Sequence, residues 1–332
     1  MAVSKKMNFA AGFSTPFHSS FAVKRPLQAL TANIAATLAF TALASCTSEP
    51  VISPSNAAPE ITRWIHPDDD IVSALSEEPR ECLPEDASGQ DILGRLAFRS
   101  PFLLGGQAAR RGLTCQACHS QGQTNFHFFV VGLSDAPGTA DVTSFHFSDE
   151  LGDEIFNPVP IPSLSDDIET VSFSSDTDDL DKFVHRLITK EFTGPEPVPD
   201  VEAALLSYIR ALDDSYCETA TIADVDLWQF NIRVINESFD ALESESISPE
   251  ARNFMMAALR VELGRLHDRL PNHSKLRAAL VSISQKLNPA EQAQPSLSPA
   301  LSEWQRLEKN LAKSYERSLF NTSAIETWLT EG

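Results

Sequence analysis

The sequence predicts an all-α protein. Two observations carry this reading. From residue 86 onward, apolar residues recur at steps of three and four, the spacing of a buried helix face. These stripes open and close on helix signals, such as Ser100-Pro101, Ser248-Pro249 and Ser298-Pro299. Only residues 120–181 break the pattern, and they read as long loops that wrap rather than pack.

Residues 1–45 hold Lys5, Lys6, Lys24 and Arg25 and no acidic residue, and Ala29 to Ser45 is an apolar, small-residue run. A basic region, an apolar core and small residues make an export signal. The run is punctuated by Thr and Asn and falls short of the ~20 apolar residues that span a bilayer. It ends Leu43-Ala44-Ser45-Cys46, which resembles the bacterial lipobox and implies a lipid on Cys46. An ordinary cleavable signal, with Cys46 incidental, is the alternative. With Thr47 next, the lipobox resemblance implies a periplasm-facing chain on the outer rather than the inner membrane. Residues 46–75 then form a tether, rich in Ser, Pro and Ala and carrying Asp68-Asp69-Asp70.

A first helix is expected from Asp86, with Ile92, Leu93, Leu96 and Phe98 on its apolar face and Ser100-Pro101 at its end. Gly94 and Phe98 share a face, and the glycine would let another helix cross closely. A short basic helix, Gln107 to Gly112, leads into Thr114-Cys115-Gln116-Ala117-Cys118-His119.

That is the one C-x-x-C-H in the chain. Two thiols a helical turn apart can add to the two vinyl groups of one porphyrin, and the adjacent His supplies an axial nitrogen to its iron. The expected cofactor is one covalent haem c. A redox C-x-x-C has no need of the His, and a zinc site needs a further ligand pair that the chain lacks.

After the loops, Asp181 to Lys190 reads as a short helix and Asp200 to Leu212 as a strong amphipathic one, with Val201, Ala204, Leu205, Tyr208, Ile209 and Leu212 on one face. Helix, C-x-x-C-H, wrapping loop and helix resembles a class I cytochrome c domain, with Gly94, Phe98, Leu205 and Tyr208 matching its helix crossing. The runs 93–98, 113–119 and 202–212 resemble the bacterial cytochrome c peroxidase and methylamine-utilisation di-haem family. That family carries two haem motifs, and this chain carries one. The resemblance covers about residues 82–216 and implies residues 76–217 as a monohaem cytochrome c domain.

Residues 218–332 are expected to form an antiparallel helical bundle. Val225, Trp228, Ile232, Ile235, Phe239 and Leu242 stripe one helix. Ser248-Pro249 opens a second, Ser274 a third and Ser298-Pro299 a fourth that runs to Tyr315. No catalytic motif is evident there.

The sixth iron position decides the function. No Met lies between Met7 and Met255, which argues against an ordinary Met/His electron carrier. Met255 and Met256 read as core residues or, in a sharper reading, as a cap from the second half. His127 and His146, each in a Phe-His-Phe triplet, are the candidates for distal ligand or acid/base. Arg95, Arg99, Arg110 and Arg111 cluster before the motif; Arg110 and Arg111 are the nearest candidates for the haem propionates. Their alternative is surface pairing with local carboxylates. Cys82 and Cys217 remain as one pair, a disulfide in an oxidising compartment or two unrelated thiols.

The whole chain carries a net charge of −20. Residues 46–217 hold 10 basic and 30 acidic side chains, a net −20. Nucleic acid is excluded as a partner, since phosphate binding needs a basic footprint. The acidic face suits a basic redox partner, or simply solubility. The leading function is single-electron transfer, and the rival is a peroxidase-like or partner-oxidising haem enzyme. A third reading makes the helical bundle a docking module.

Overall fold

The computed structural model describes residues 64–144, 152–165, 179–217, 226–288 and 297–331. Residues 1–45, read above as an export signal, together with Cys46, the first part of the expected tether and His146, lie outside these residues. The described chain is predominantly helical, with a single two-stranded sheet. Among the described residues no helix is long and apolar enough to cross a membrane.

Order begins before residue 75. Ile65 bridges to Phe128, and α1 (Ile71–Ser76) is capped by the Asp70 side chain. Leu75 in α1 is buried against Leu319 and Ile325, a small cluster apart from the main core. The stretch read as a tether to residue 75 is therefore folded from Trp64 on.

α2 (Gly89–Phe98) starts three residues later than the sequence suggested. The reason is a capping box: the Ser88 hydroxyl accepts from the Asp91 amide, and the Asp91 carboxylate accepts from the Ser88 amide. Ser100 then caps a new turn, α3 (Pro101–Leu104), rather than simply ending the chain's helix. α4 (Gly106–Arg110) follows, and α5 (Cys115–Cys118) is capped by the Thr114 hydroxyl on the Ala117 amide at 3.2 Å.

The loops beyond α5 contain one small sheet, in which β1 (Thr139–Ala140) pairs antiparallel with β2 (Val159–Pro160). α6 (Leu180–Arg186) then loosens into a wider π-type turn over Leu187–Glu191.

α7 (Pro199–Ala211) buries all six residues of its predicted face. It crosses α2 at Gly94, where an added Cβ would lie 1.9 Å from the Ala204 carbonyl oxygen and 2.6 Å from the Tyr208 Cβ. Only glycine permits that approach. Phe98 and Tyr208 pack beside it with ring centroids 5.3 Å apart.

α8 (Leu227–Ser244), α9 (Pro249–Asp268), α10 (Ser274–Lys286) and α11 (Leu297–Leu311) follow. α8 packs on α9, α9 on α10, α10 on α11, and α11 back on α8. Trp228, Ile235, Phe239 and Leu242 of the predicted α8 stripe are buried, as are Leu280 and Ile283 in α10 and Trp304 in α11. α11 stops at Leu311 and tightens into a 3₁₀ stretch, which leaves Tyr315 38% exposed and off the stripe. α12 (Thr322–Glu331) closes the chain and packs on α1.

The two halves do not stand apart. α2 packs on α8 and α9, α7 packs on α9, and one continuous apolar core runs from Ile92 to Phe320. Charges cross the same junction. Arg95, 1% exposed, reaches Glu81 at 3.1 Å and Glu237 of α8 at 2.6 Å, and Tyr208 donates to Glu81 at 3.0 Å. Burial works against the charge of Arg95, but Glu81 and Glu237 outweigh it and raise its pKa. Arg99 pairs with Glu262 of α9 at 2.9 Å, and Arg265 approaches the other oxygen of Glu262 at 3.6 Å. Arg95 and Arg99 are thus bound into the interior and are not surface cations.

A disulfide joins Cys82 to Cys217 with Cα atoms 5.3 Å apart, bringing the segment before α2 against the end of the 3₁₀ turn Asp214–Tyr216.

Candidate haem site

The C-x-x-C-H turn is held at both ends. Thr114 caps its start, and Asn125 binds its end: the Asn125 amide donates to the Cys118 carbonyl at 2.9 Å and its side chain donates to the Ala117 carbonyl at 2.8 Å. These bonds satisfy carbonyls that a helix end leaves open. Cys115 and Cys118, three residues apart, share one side of the turn and are both unpaired thiols, half-buried.

Burial pushes both thiols up to about 12. They stay protonated at neutral pH.

His119 is positioned by a backbone carbonyl. Its Nδ1 lies 2.9 Å from the Pro162 oxygen. A carbonyl can only accept, so the proton sits on Nδ1 and Nε2 carries the lone pair. Burial lowers the imidazole pKa to about 4, against the opposing effect of the Pro162 bond, and the ring is neutral at pH 7. A neutral imidazole with Nδ1 engaged is the form in which histidine ligates a metal.

The residues present fit a haem. Among the described residues no three His, Cys, Asp or Glu side chains converge as a bare metal ion would require. Two thiols and a preset imidazole on one turn suit a flat group attached along its edge. Upstream of Pro162 in sequence, Val159 is 55% exposed, and Ile155 and Phe156 are 61% and 56% exposed. Large apolar side chains without protein cover mark a surface built for an apolar ligand or partner.

The remaining candidates are dispersed. His127 takes Asp69 on its Nδ1 at 2.8 Å and lines a cavity whose wall on α5 is Gln116 and Ala117, with Ser120 just beyond, and not Cys115, Cys118 or His119. Of the Phe-His-Phe triplet, Phe128 is fully buried and Phe126 is 68% exposed. Met255 and Met256 are each 1% exposed in the core of α9. Arg110 is exposed on α4, and Arg111, half-buried, has contacts of its own. Pro162 was not legible as a site residue, because it acts through a backbone oxygen. The Asn-Pro-Val-Pro-Ile-Pro run at 157–162, whose prolines keep the chain extended, was its only sequence trace.

No protein-family model, curated protein or solved structure matches the chain.

Proposed function

We propose that the protein is a c-type cytochrome with one covalently bound haem, which passes single electrons to or from a redox partner. The observation that carries this reading is the His119–Pro162 contact beside two free thiols on the same turn. Cys115 and Cys118 hold the porphyrin by thioethers, and His119 Nε2 is the axial ligand. The bound haem supplies an iron that changes valence by one electron. Arg110 and Arg111 are the basic groups for its propionates. Residues 76–217 act as a cytochrome c domain with wrapping loops, and 218–332 as an antiparallel helical bundle fused to it. The chain is exported, loses residues 1–45, and is held on the periplasmic side of the outer membrane by a lipid on Cys46. Its acidic first half faces a basic partner.

A second reading has one observation in its favour. Met255 and Met256 are in the core, and His127 is engaged through its Nδ1 with Asp69. Both methionines are packed away and His127 already has a carboxylate partner, which favours a sixth position left to another group. An iron left open, or capped by His146, would serve a peroxidase-like or partner-oxidising enzyme.

The absorption spectrum of the purified holoprotein, oxidised and reduced, decides between them. Low-spin haem in both states without peroxide turnover is the result expected of a carrier. A high-spin ferric spectrum with rapid peroxide reaction transfers the assignment to the enzyme. His146→Ala tests the cap by loss of the low-spin signal. Haem that leaves the chain on denaturation, or that survives Cys115→Ser with Cys118→Ser as a covalent adduct, refutes both readings.

A further inference from the structure

The carbonyl that fixes His119 sits in a segment poorly able to fix itself. Pro160 and Pro162 have no amide hydrogen to donate, and Pro162 is exposed. Its place must come from its neighbours. On one side, the Ile161 amide donates to the Gly138 carbonyl at 3.0 Å, and the Ile161 carbonyl accepts from the Thr124 hydroxyl at 2.8 Å. On the other, the Leu164 amide donates to the Gly122 carbonyl at 2.8 Å. Gly122, Thr124 and Gly138 all lie in the loops that follow His119.

One tie leaves those loops. Ser165, 4% exposed, donates its hydroxyl to the Asp214 carboxylate, and the Asp214 amide donates back to the Ser165 carbonyl at 3.2 Å. The Ser163 hydroxyl lies 2.9 Å from that of Ser165 and accepts from the Ser165 amide at 3.3 Å.

Asp214 is itself anchored. It opens the 3₁₀ turn Asp214–Tyr216, and its carbonyl accepts from the Cys217 amide at 2.8 Å. The preceding Asp213 amide donates to the Cys82 carbonyl at 3.0 Å. Both residues of the Cys82–Cys217 disulfide therefore grip this turn. Residues 213–216 are exposed, so the turn is held by these bonds and not by the core. The effect of the Ser165–Asp214 pair is to join the Pro162 segment to a covalently closed anchor.

We propose that Ser165 and Asp214 are positioning residues: their paired bonds hold the Pro162 carbonyl on His119 Nδ1, and through it set how strongly the ring donates to a metal. The contact needs no cofactor; its effect on an iron rests on the cytochrome reading above. An imidazole whose Nδ1–H is held by an acceptor is the stronger ligand through Nε2. A stronger donor favours ferric over ferrous iron and lowers the reduction potential.

The test compares the purified full-length protein with Ser165→Ala, Asp214→Ala and Asp214→Asn. Asp214 is exposed, so its variants fold. Both remove the same charge, but only asparagine keeps an oxygen for the Ser165 hydroxyl. Ser165→Ala keeps the charge and loses the bond. Exchange of the His119 Nδ1 proton with solvent, followed by nuclear magnetic resonance, reads the contact. It is expected to quicken at least about tenfold in both alanine variants, and to stay near the parent rate in Asp214→Asn. The haem potential is expected to rise in both alanine variants, and in Asp214→Asn by clearly less than in Asp214→Ala. Unchanged exchange in the two alanine variants overturns the inference, with or without haem. So does an asparagine variant that matches Asp214→Ala in both measurements, which reduces the effect to charge, or faster exchange with no change in potential. Absence of covalent haem refutes the cytochrome reading and the effect on potential, and exchange still decides whether the pair positions His119.

Discussion

The same substitution at two glycines should move stability in opposite directions. At Gly94, an alanine Cβ would sit 1.9 Å from the Ala204 carbonyl oxygen, where ordinary contact begins at 3.4 Å. The shortfall is about 1.5 Å, and the obstructing atom is backbone, which cannot rotate aside. α7 must therefore shift bodily, loosening the Phe98–Tyr208 packing and the Tyr208–Glu81 bond. Overpacking costs up to ~3 kcal/mol, and weakening a hydrogen bond to a charged group adds ~1 kcal/mol. Better helix propensity returns ~1 kcal/mol. Gly94→Ala should thus lose about 3 kcal/mol by this reckoning. At Gly264 nothing lies within 4 Å, and Gly264→Ala should gain about 0.5–1 kcal/mol. Urea unfolding of the purified protein, followed by far-ultraviolet circular dichroism at constant slope, reads both. If Gly94→Ala stabilises, or loses less than ~1 kcal/mol, the helices do not cross at that glycine and the geometry described above is wrong.

Other consequences can be checked with the same assay. Glu262→Gln leaves Arg99 buried without its carboxylate, and half-buried Arg265 without its share of it, and should cost ~3–5 kcal/mol; combining it with Arg99→Met should cost clearly less than the sum, and strict additivity would show the pair to be uncoupled. Burial favours protonated Glu262, but Arg265 and Arg99 outweigh it and hold the carboxyl below its ordinary 4.5. The unfolded chain then binds the proton first, so this stability is present above the ordinary value and is lost as pH falls through the lowered one. The urea midpoint should drop in that acid window, less steeply in Glu262→Gln, and parallel curves would remove Glu262 from the account. Replacing Cys82 and Cys217 by Ser opens a link spanning 135 positions, for which loop entropy allows up to ~5 kcal/mol; a change below ~1 kcal/mol would mean that the unfolded chain is already compact there.

The helices were the legible part of the fold. α7 and α8 each bury one face, so their apolar spacing could be read directly. α1 and α12 were missed: the first is six residues long, the second ten, and neither holds enough turns to set a stripe. The π-type turn after Arg186 was missed for a different reason, since a wider turn has no apolar period to betray it. Charge misled most. Arg95 and Arg99 looked like solvent-facing cations near the haem motif, and their partners Glu237 and Glu262 lie 142 and 163 positions away. No local pattern reports such a pairing, and with it went the union of the two halves. At the candidate site, Cys115, Cys118 and His119 were legible because their spacing is the chemistry. The tautomer of His119 was not, because Pro162 sets it through a main-chain oxygen.

The Cys82–Cys217 link also makes the span between them a closed covalent ring. Everything upstream leaves that ring at residue 82, and everything downstream leaves it at residue 217. A single protease cut anywhere inside would open the ring without parting the molecule. The cut chain would run as one band on a non-reducing gel and as two after reduction. Clipped in its long loops, the chain would still keep both halves, and whatever His119 holds, on the same molecule.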